Sequence, residues 1–444
     1  MSAPLHIVFL TPGTGGWYCG ACMRDNALAK ALQTAGHEVS LLPMYLPLQL
    51  DEEVLDNRRA APVFFGGINV FLQHKFALFR HTPGWFDKLL NYQSLLRQVA
   101  RHSHMTSARE HGAMTLAMLR MTDHHPDKEL DKLCAWLEQS TPDIICLSTA
   151  LQAGMIRELK RRLGVRVICC FQGEDTFLDG LPDPYRDECW RELALRVRDS
   201  DMLIAPSMFY ANLMQQRLGR NGLTIEVLPN GINLDGYEPQ PDKSGPPVIG
   251  FLARLCREKG LSVMIEAFIH LRTVLGHPDA RLHLAGAATA DNQALIESLR
   301  QRLASTGLTN DVRWQTNISR AEKTAMLRTL TLFSVPTIYP EAFGLYVIEA
   351  MASGVPVVQP ATASFPEIVG TTGVLVPTAA TGGPLPHEAL AQAWHELLRQ
   401  PDRLRAMAVE GRDTAEKLYQ VGVMRDRFLV LAHRLLDPAT NPAI

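Results

Sequence analysis

What this 444-residue sequence lacks narrows it before any motif does. It has no surplus of either charge: 44 Lys and Arg stand against 46 Asp and Glu, a formal net charge of -2. A nucleic-acid partner asks for a strongly basic face, so none is expected. No stretch approaches the roughly 18 uninterrupted apolar residues of a membrane-spanning helix. The opening "MSAPLHIVFLTPG" has no basic leader, and its apolar run is too short for a secretory signal. The eight cysteines are scattered, several of them in apolar strand-like runs, so they do not read as a disulfide framework. Low-complexity tracts, short-period repeats and an Asp-x-Asp dyad in a suitable loop are also missing. The expectation is a reduced, cytoplasmic, globular chain.

What is present is an alternation. "HIVFLTP", "HEVSLLPMY", "DIICLST", "VRVICCFQG", "DMLIAPS" and "TIEVLPNG" are apolar runs suited to strands buried on both faces. Helical periods separate them, among them "RDNALAKALQTAG", which should close on a left-handed Gly36. Residues 51–142 break the rhythm and read as an insertion, with a hairpin in "APVFFGGINVFLQ" and amphipathic helices rich in His and Met. "YEPQPDKSGPP", Tyr237 to Pro247, is polar and proline-rich and is the expected linker. The alternation then restarts through "VIGFLAR", "ARLHLAG", "VRWQT" and "LFSVPT". The predicted organisation is α/β: a first doubly wound domain over 1–237, a second over 247–415, and a terminal helix within 416–444. Ligands of such sheets bind outside the carboxyl ends of the strands, so the cleft between the halves is the expected site.

"VPTIYPEAFGLYVIEAMASGVPVVQP" is the most informative stretch. A turn between Pro340 and Gly344 opens a helix, and the amides of Phe343, Gly344 and Leu345 would project from its start, where an anion binds well. Glu341 precedes the turn and Glu349 lies two helical turns on. Carboxylates beside a phosphate site are favourable when they accept from hydroxyls, as acidic residues do for ribose; solvated charges at a helix start are the alternative. In "IGFLARLCREKGL", Arg254 follows a strand and Lys259 stands at a helix start, a pair that can clamp a diphosphate.

Taken in order, "PGTGG", "VLPNGIN", "GFLARLCREKG", "LHLAG" and the Glu-x7-Glu element Glu341 to Glu349 resemble the retaining GT-B glycosyltransferases of family 4, with a kinship to glycogen synthases in "FGGINVFL". The resemblance implies two Rossmann-like domains facing a cleft, with the last helix crossing back to the first domain. It implies transfer of a sugar from a UDP-, GDP- or ADP-sugar to a hydroxyl acceptor, with retention, without a metal and without a further cofactor. By position, Arg254 and Lys259 would neutralise the diphosphate, Glu341 would hold sugar hydroxyls, and Glu349 the ribose. Phe343, Gly344 and Leu345 would bind a phosphate through their amides. Gly15 and Gly16 would let a loop approach the donor, and Thr316, Asn317 and Ile318 would face the base.

The sequence departs from its relatives after "VRVICC", where many carry a histidine that contacts the sugar. Here the run is "FQGEDTFLDGLP" and Gln172 takes that place; glutamine can hydrogen-bond a hydroxyl but cannot shuttle a proton. Glu174 and Asp175 are either a base and acceptor contact or the turn and cap of the next helix. Cys19 and Cys22 form a Cys-x-x-Cys pair at a helix start, open to three readings: loop packing or substrate contact, redox sensitivity, or metal. "HKFALFRHTPGWFDKLLNYQSLLRQVARHSH" is either an acceptor or peripheral membrane surface, or a buried helical pair. The competing functional readings are another GT-B activity, epimerase or phosphorylase, and a non-catalytic sugar-nucleotide sensor that uses the cysteine pair.

Overall fold

The computed structural model describes residues 3–13, 19–55, 64, 108–121, 128–219, 222–240, 245–379, 383 and 385–437. The chain forms two compact units, one of Met1–Pro229 with Met424–Ile444, the other of Asn230–Val423.

In the first unit six parallel strands lie in the order β2-β1-β3-β4-β5-β6. They are β1 (His6–Thr11), β2 (Glu38–Pro43), β3 (Ile144–Leu147), β4 (Arg166–Cys170), β5 (Met202–Ala205) and β6 (Ile225–Val227). Runs such as "IICL" in β3 are buried throughout, as a sheet covered on both faces requires. The connecting helices are α1 (Gly20–Thr34), α2 (Ala108–Leu119), α3 (Lys128–Glu138), α4 (Ile156–Leu163), α5 (Glu174–Asp179), α6 (Tyr185–Arg196) and α7 (Met208–Arg217). α1 starts four residues earlier than "RDNALAKALQTAG" suggests, with Cys19 as its N-cap, and Gly36 follows it at φ 94°. Helices α2 and α3 belong to the stretch read as an insertion; its expected hairpin and the aromatic, basic segment lie outside the described residues, apart from Phe64.

The second unit holds a four-stranded parallel sheet in the order β10-β7-β8-β9 and a parallel pair β11-β12. These are β7 (Val248–Leu252), β8 (Arg281–Gly286), β9 (Val312–Thr316), β10 (Leu332–Phe333), β11 (Val358–Pro360) and β12 (Val374–Val376). Helices α8 (Leu261–Thr273), α9 (Gln293–Ser305), α10 (Arg320–Thr329), α11 (Leu345–Ala352), α12 (Phe365–Val369), α13 (His387–Leu398) and α14 (Pro401–Leu418) complete it. Phe251, Phe268, Phe333, Phe365 and Trp394 are fully enclosed in its core, each side chain contributing about 2 kcal/mol by burial. The final helix, α15 (Val421–Leu436), returns Phe428 to the first unit, where its ring meets Phe9 of β1 at 6.1 Å between centroids.

The division falls at Pro229, ahead of the proline-rich stretch read as the linker. Tyr237 belongs to the second unit because its ring is buried there (1% exposed) and its hydroxyl is hydrogen-bonded to α11.

Candidate active site

The parallel sheet of the second unit brings the chain ends after β7, β8 and β9 to one edge. After β7, Arg254 is exposed and makes no ion pair among the described residues, while Lys259 is largely buried at the start of α8. Gly260 sets that turn. It adopts φ 75°, and a Cβ there would lie 1.8 Å from the Pro336 carbonyl oxygen, so only glycine lets Lys259 stand beside the segment preceding Glu341. Lys259 Nζ pairs with Glu341 Oε2, and lies 4.9 and 5.1 Å from the ring centres of Tyr339 and Tyr346. Both tyrosine hydroxyls donate to the same Oε2, at 3.2 and 2.8 Å. Burial alone would raise the Glu341 carboxyl, but the Lys259 charge and these hydrogen bonds outweigh it and hold the group below its usual range. Burial first, and then Glu341, push Tyr339 and Tyr346 well up, so both remain donors.

Glu349 repeats the arrangement two turns into α11. Its Oε1 accepts from the Tyr237 hydroxyl at 2.8 Å and from Lys323 Nζ of α10 at 2.5 Å. Each of the two glutamates thus commits one oxygen to a lysine and tyrosine, and the second oxygen, Oε1 of Glu341 and Oε2 of Glu349, has no partner among the described residues. Between them Gly344, at φ 87°, caps α11, and the amides of Phe343, Gly344 and Leu345 make no backbone hydrogen bond among the described residues. Past β8 and β9, a cavity of about 290 Å³ is lined in part by Ile296 and Arg300 of α9, Trp314, Thr316 and Asn317. Asn317 takes φ 54° and donates its amide to the Gly286 carbonyl at 3.1 Å, which aims its side of the loop; Ile318 is buried beneath. The Arg300 guanidinium lies 5.4 Å from the Trp314 ring centre. The ensemble offers a flat aromatic wall, two cations, free amides and two half-occupied carboxylates, a set suited to a base, a diphosphate and hydroxyls.

In the first unit, Gln172, Glu174 and Asp175 follow β4 at the carboxyl edge of its sheet. Glu174 and Asp175 are buried at the start of α5, not presented to solvent. Glu174 Oε1 accepts from Thr149 Oγ1 and the Ala150 amide at 2.7 and 3.0 Å. Its Oε2 accepts from the amides of Gln172 and Gly173 at 2.8 and 3.1 Å, and lies 3.3 Å from the Tyr210 hydroxyl. Tyr210 donates to Asp175 Oδ1 at 2.8 Å. Burial raises Asp175, with the Tyr210 bond partly offsetting it. Neither acid caps the helix, whose N-cap is Gly173, and their side-chain partners include Thr149, Ala150 and Tyr210 from other elements. Gly15 and Gly16 lie outside the described residues.

Two family models match the chain: "Glycosyltransferase Family 4" over residues 124–235 and "Glycosyl transferases group 1" over residues 237–414. Over these two stretches the chain is similar to the family 4 and group 1 glycosyltransferases. The phosphatidyl-myo-inositol mannosyltransferase of Mycobacterium leprae is 30% identical over 233 residues, 51% of this chain and 57% of that one. A GDP-mannose-dependent alpha-(1-6)-phosphatidylinositol monomannoside mannosyltransferase of Mycolicibacterium smegmatis is 26% identical over 62% of this chain and 72% of the relative. The match to the first of these spans little more than half the relative's length. Among solved structures, sucrose-phosphate synthase from Thermosynechococcus elongatus superposes with a TM-score of 0.71 over 97% of this chain and 99% of that one, at 17% identity. HepE from Anabaena, solved with UDP and glucose, gives 0.65 over 97% and 99%, at 16% identity. Both share the GT-B fold.

Several residues of the candidate site escape a reading of the sequence. Tyr339 and Tyr346 flank Glu341 within the stretch already singled out, and their spacing was the available signal. Tyr237 and Lys323 stand 112 and 26 residues from Glu349, with nothing local to mark them. Cys19 and Cys22 share a hydrogen bond at the start of α1. That bond, against the raising effect of burial, lowers the Cys19 thiol to about 7, and the same bond together with burial raises Cys22. Among the described residues no group of three or more His, Cys, Asp and Glu is placed to hold a metal, and no helix is long and apolar enough to cross a membrane.

Proposed function

We propose that the chain transfers a sugar from a nucleotide-diphosphate sugar to a hydroxyl acceptor, with retention and without a metal. The observation that carries this reading is the pair of half-occupied carboxylates: Glu341 and Glu349 each keep one oxygen open beside cations and unpartnered amides. In this reading the base lies against Trp314 in the cavity, and Glu349 Oε2 accepts from the ribose hydroxyls. Arg254, Lys259 and the amides of Phe343 to Leu345 carry the diphosphate charge in place of a cation. Glu341 Oε1 accepts from the sugar hydroxyls. Lys259 keeps one N–H on Glu341 and has two more for phosphate oxygens, so it links the sugar-binding carboxylate to the leaving group. Gln172 donates to a sugar hydroxyl.

In the chemical step the bond from the anomeric carbon to the diphosphate oxygen breaks. The bond to the acceptor oxygen forms on the same face, and the acceptor proton passes to the departing phosphate. The positive charges lower the barrier by stabilising the developing diphosphate. No protein nucleophile is required. The eight free cysteines agree with a reducing, cytoplasmic setting.

The test is a thermal-shift panel of UDP, GDP, ADP and their sugars, with and without EDTA. One diphosphate should stabilise the chain, unaffected by EDTA, and the shift should vanish in Lys259→Ala. No shift with any of them, or a shift that survives in Lys259→Ala, overturns the donor site. A diphosphate shift with no transfer to any acceptor, but sensitive to thiol oxidation, turns the reading to a sensor.

A further inference from the structure

We infer that Glu174 is a positioning residue that locks the sheet-edge loop bearing Gln172, and not a general base. The inference rests on the transferase reading above. A carboxylate offers about four lone-pair sites, and Glu174 already receives four donors, at 2.7, 3.0, 2.8 and 3.1 Å, with the Tyr210 hydroxyl, whose proton goes to Asp175, a further 3.3 Å from its Oε2. A base must turn a free lone pair to the proton it takes, and Glu174 has none to turn. Its partners come from three places. Thr149 and Ala150 follow β3, Gln172 and Gly173 follow β4, and Tyr210 stands on α7 after β5, so one side chain ties together the carboxyl ends of three neighbouring strands. Gly173 bends between them at φ 117°, a conformation that lets its amide and that of Gln172 point at the same oxygen.

The second observation concerns what this lock holds. The Gln172 backbone is fixed through its amide, yet its side-chain Nε2 is buried with no hydrogen-bond partner among the described residues. A buried carboxamide donor without an acceptor is the exception in a folded chain. Here it sits on the loop where a sugar contact is expected, and its missing acceptor is a ligand oxygen. Glu174 therefore acts through Gln172: it sets the loop so that Nε2 meets a hydroxyl of the substrate.

The experiment uses the full chain and the variants Gln172→Ala, Glu174→Gln and their combination. Hydrogen exchange is followed by mass spectrometry, and turnover is measured with UDP-glucose and GDP-mannose as probes. Glu174→Gln places a donor where two amides donate, so exchange over 149–151 and 171–174 should accelerate at least tenfold while the second unit is unchanged. Each single variant should lower kcat at least tenfold, and the double variant should fall no further than the worse single one. The shape of the pH-rate profile should stay as in the parent. Unchanged exchange in Glu174→Gln, multiplying losses in the double variant, or a lost limb of the pH profile overturns the inference. Accelerated exchange in a parent chain that turns over neither probe sustains the lock and counts against the transferase reading instead. Should Glu174→Gln fail to fold, Tyr210→Phe removes the hydroxyl that bridges Glu174 and Asp175. It should cost three- to tenfold in kcat, again without adding to Gln172→Ala, and full activity in folded Tyr210→Phe overturns the inference.

Discussion

Three little-exposed glutamates, Glu174 and Glu349 buried and Glu341 partly so, sit at the sheet edges of this chain, and they are held in opposite ways. In the second unit, Glu341 and Glu349 each gather lysine and tyrosine donors onto one oxygen and keep the other open. In the first unit, Glu174 has both oxygens filled by its own chain. Low exposure alone does not separate a carboxylate that is free to bind from one that is not. The count of occupied lone pairs does. A carboxylate that is half held is oriented and still reactive toward hydroxyls, whereas a saturated one only fixes backbone.

The largest effect that sharpens this contrast belongs to Lys259. Lys259→Ala removes the proposed phosphate donor and leaves Glu341 without its cation. Transfer should fall about a thousandfold, with a stability loss of about 3 kcal/mol by urea unfolding for the broken buried pair. Turnover within threefold of the parent would show that Glu341 does not need its partner.

Next is Glu349→Gln, which keeps the shape but weakens the hydroxyl acceptor. Donor KM should rise about tenfold to a hundredfold, as for loss of a charged hydrogen bond, with kcat little changed. A fall in kcat at constant KM would move Glu349 from the ribose to the reacting centre. Glu174→Ala should do the reverse: it strands several buried donors, so it should destabilise by about 3 kcal/mol and leave UDP and GDP binding within twofold.

Smaller effects follow pH. The Cys19 thiol, lowered to about 7 by its bond from Cys22, should be alkylated by iodoacetamide at a rate that rises through neutral pH, while Cys22, raised by that bond and by burial, stays inert. Per-site mass spectrometry reads this, and onset only above pH 8.5 would remove the distinction between the two. Least of all is the pair His277 and His395, whose Nε2 and Nδ1 are 3.0 Å apart. Burial, and then the charges of His395 and Arg399, lower His277. Its folded value lies below its unfolded one, so the unfolded chain takes up the proton first. The contribution is present above about pH 6.5 and is lost as pH falls below it. The melting temperature should drop by a few degrees or less between pH 7.5 and 5.5, and His277→Gln should flatten that slope.

Much of this was legible in the chain itself, for physical reasons. The strands are continuous apolar runs, and Gly36 and Gly344 stand where a left-handed cap is needed, so local chemistry sufficed. The spacing of Glu341 and Glu349, together with the helix start between them, marks the acidic pair. What stays hidden is which oxygen each carboxylate has left, because Lys323 and Tyr237 reach Glu349 only through tertiary packing. Glu174 and Asp175 look like any acidic turn until Thr149, Ala150 and Tyr210 are brought to them from other strands. The two compact units divide at Pro229, ahead of the predicted linker, for a reason of the same kind: the prolines after Tyr237 suggest a hinge, and the burial of that ring is not written in its neighbours.

The cavity beside Trp314 has a consequence for engineering. Gln293, Ile296 and Arg300 line it from one stripe of a single helix, and the two polar ones point outward from an otherwise conventional surface. Among the described residues neither Gln293 nor Arg300 hydrogen-bonds or ion-pairs with Glu341, Glu349 or Lys259. A small combinatorial library at Gln293 and Arg300 therefore addresses the choice of nucleobase separately from the chemistry, and a chain retuned from one nucleotide sugar to another should keep its turnover number while its donor preference moves.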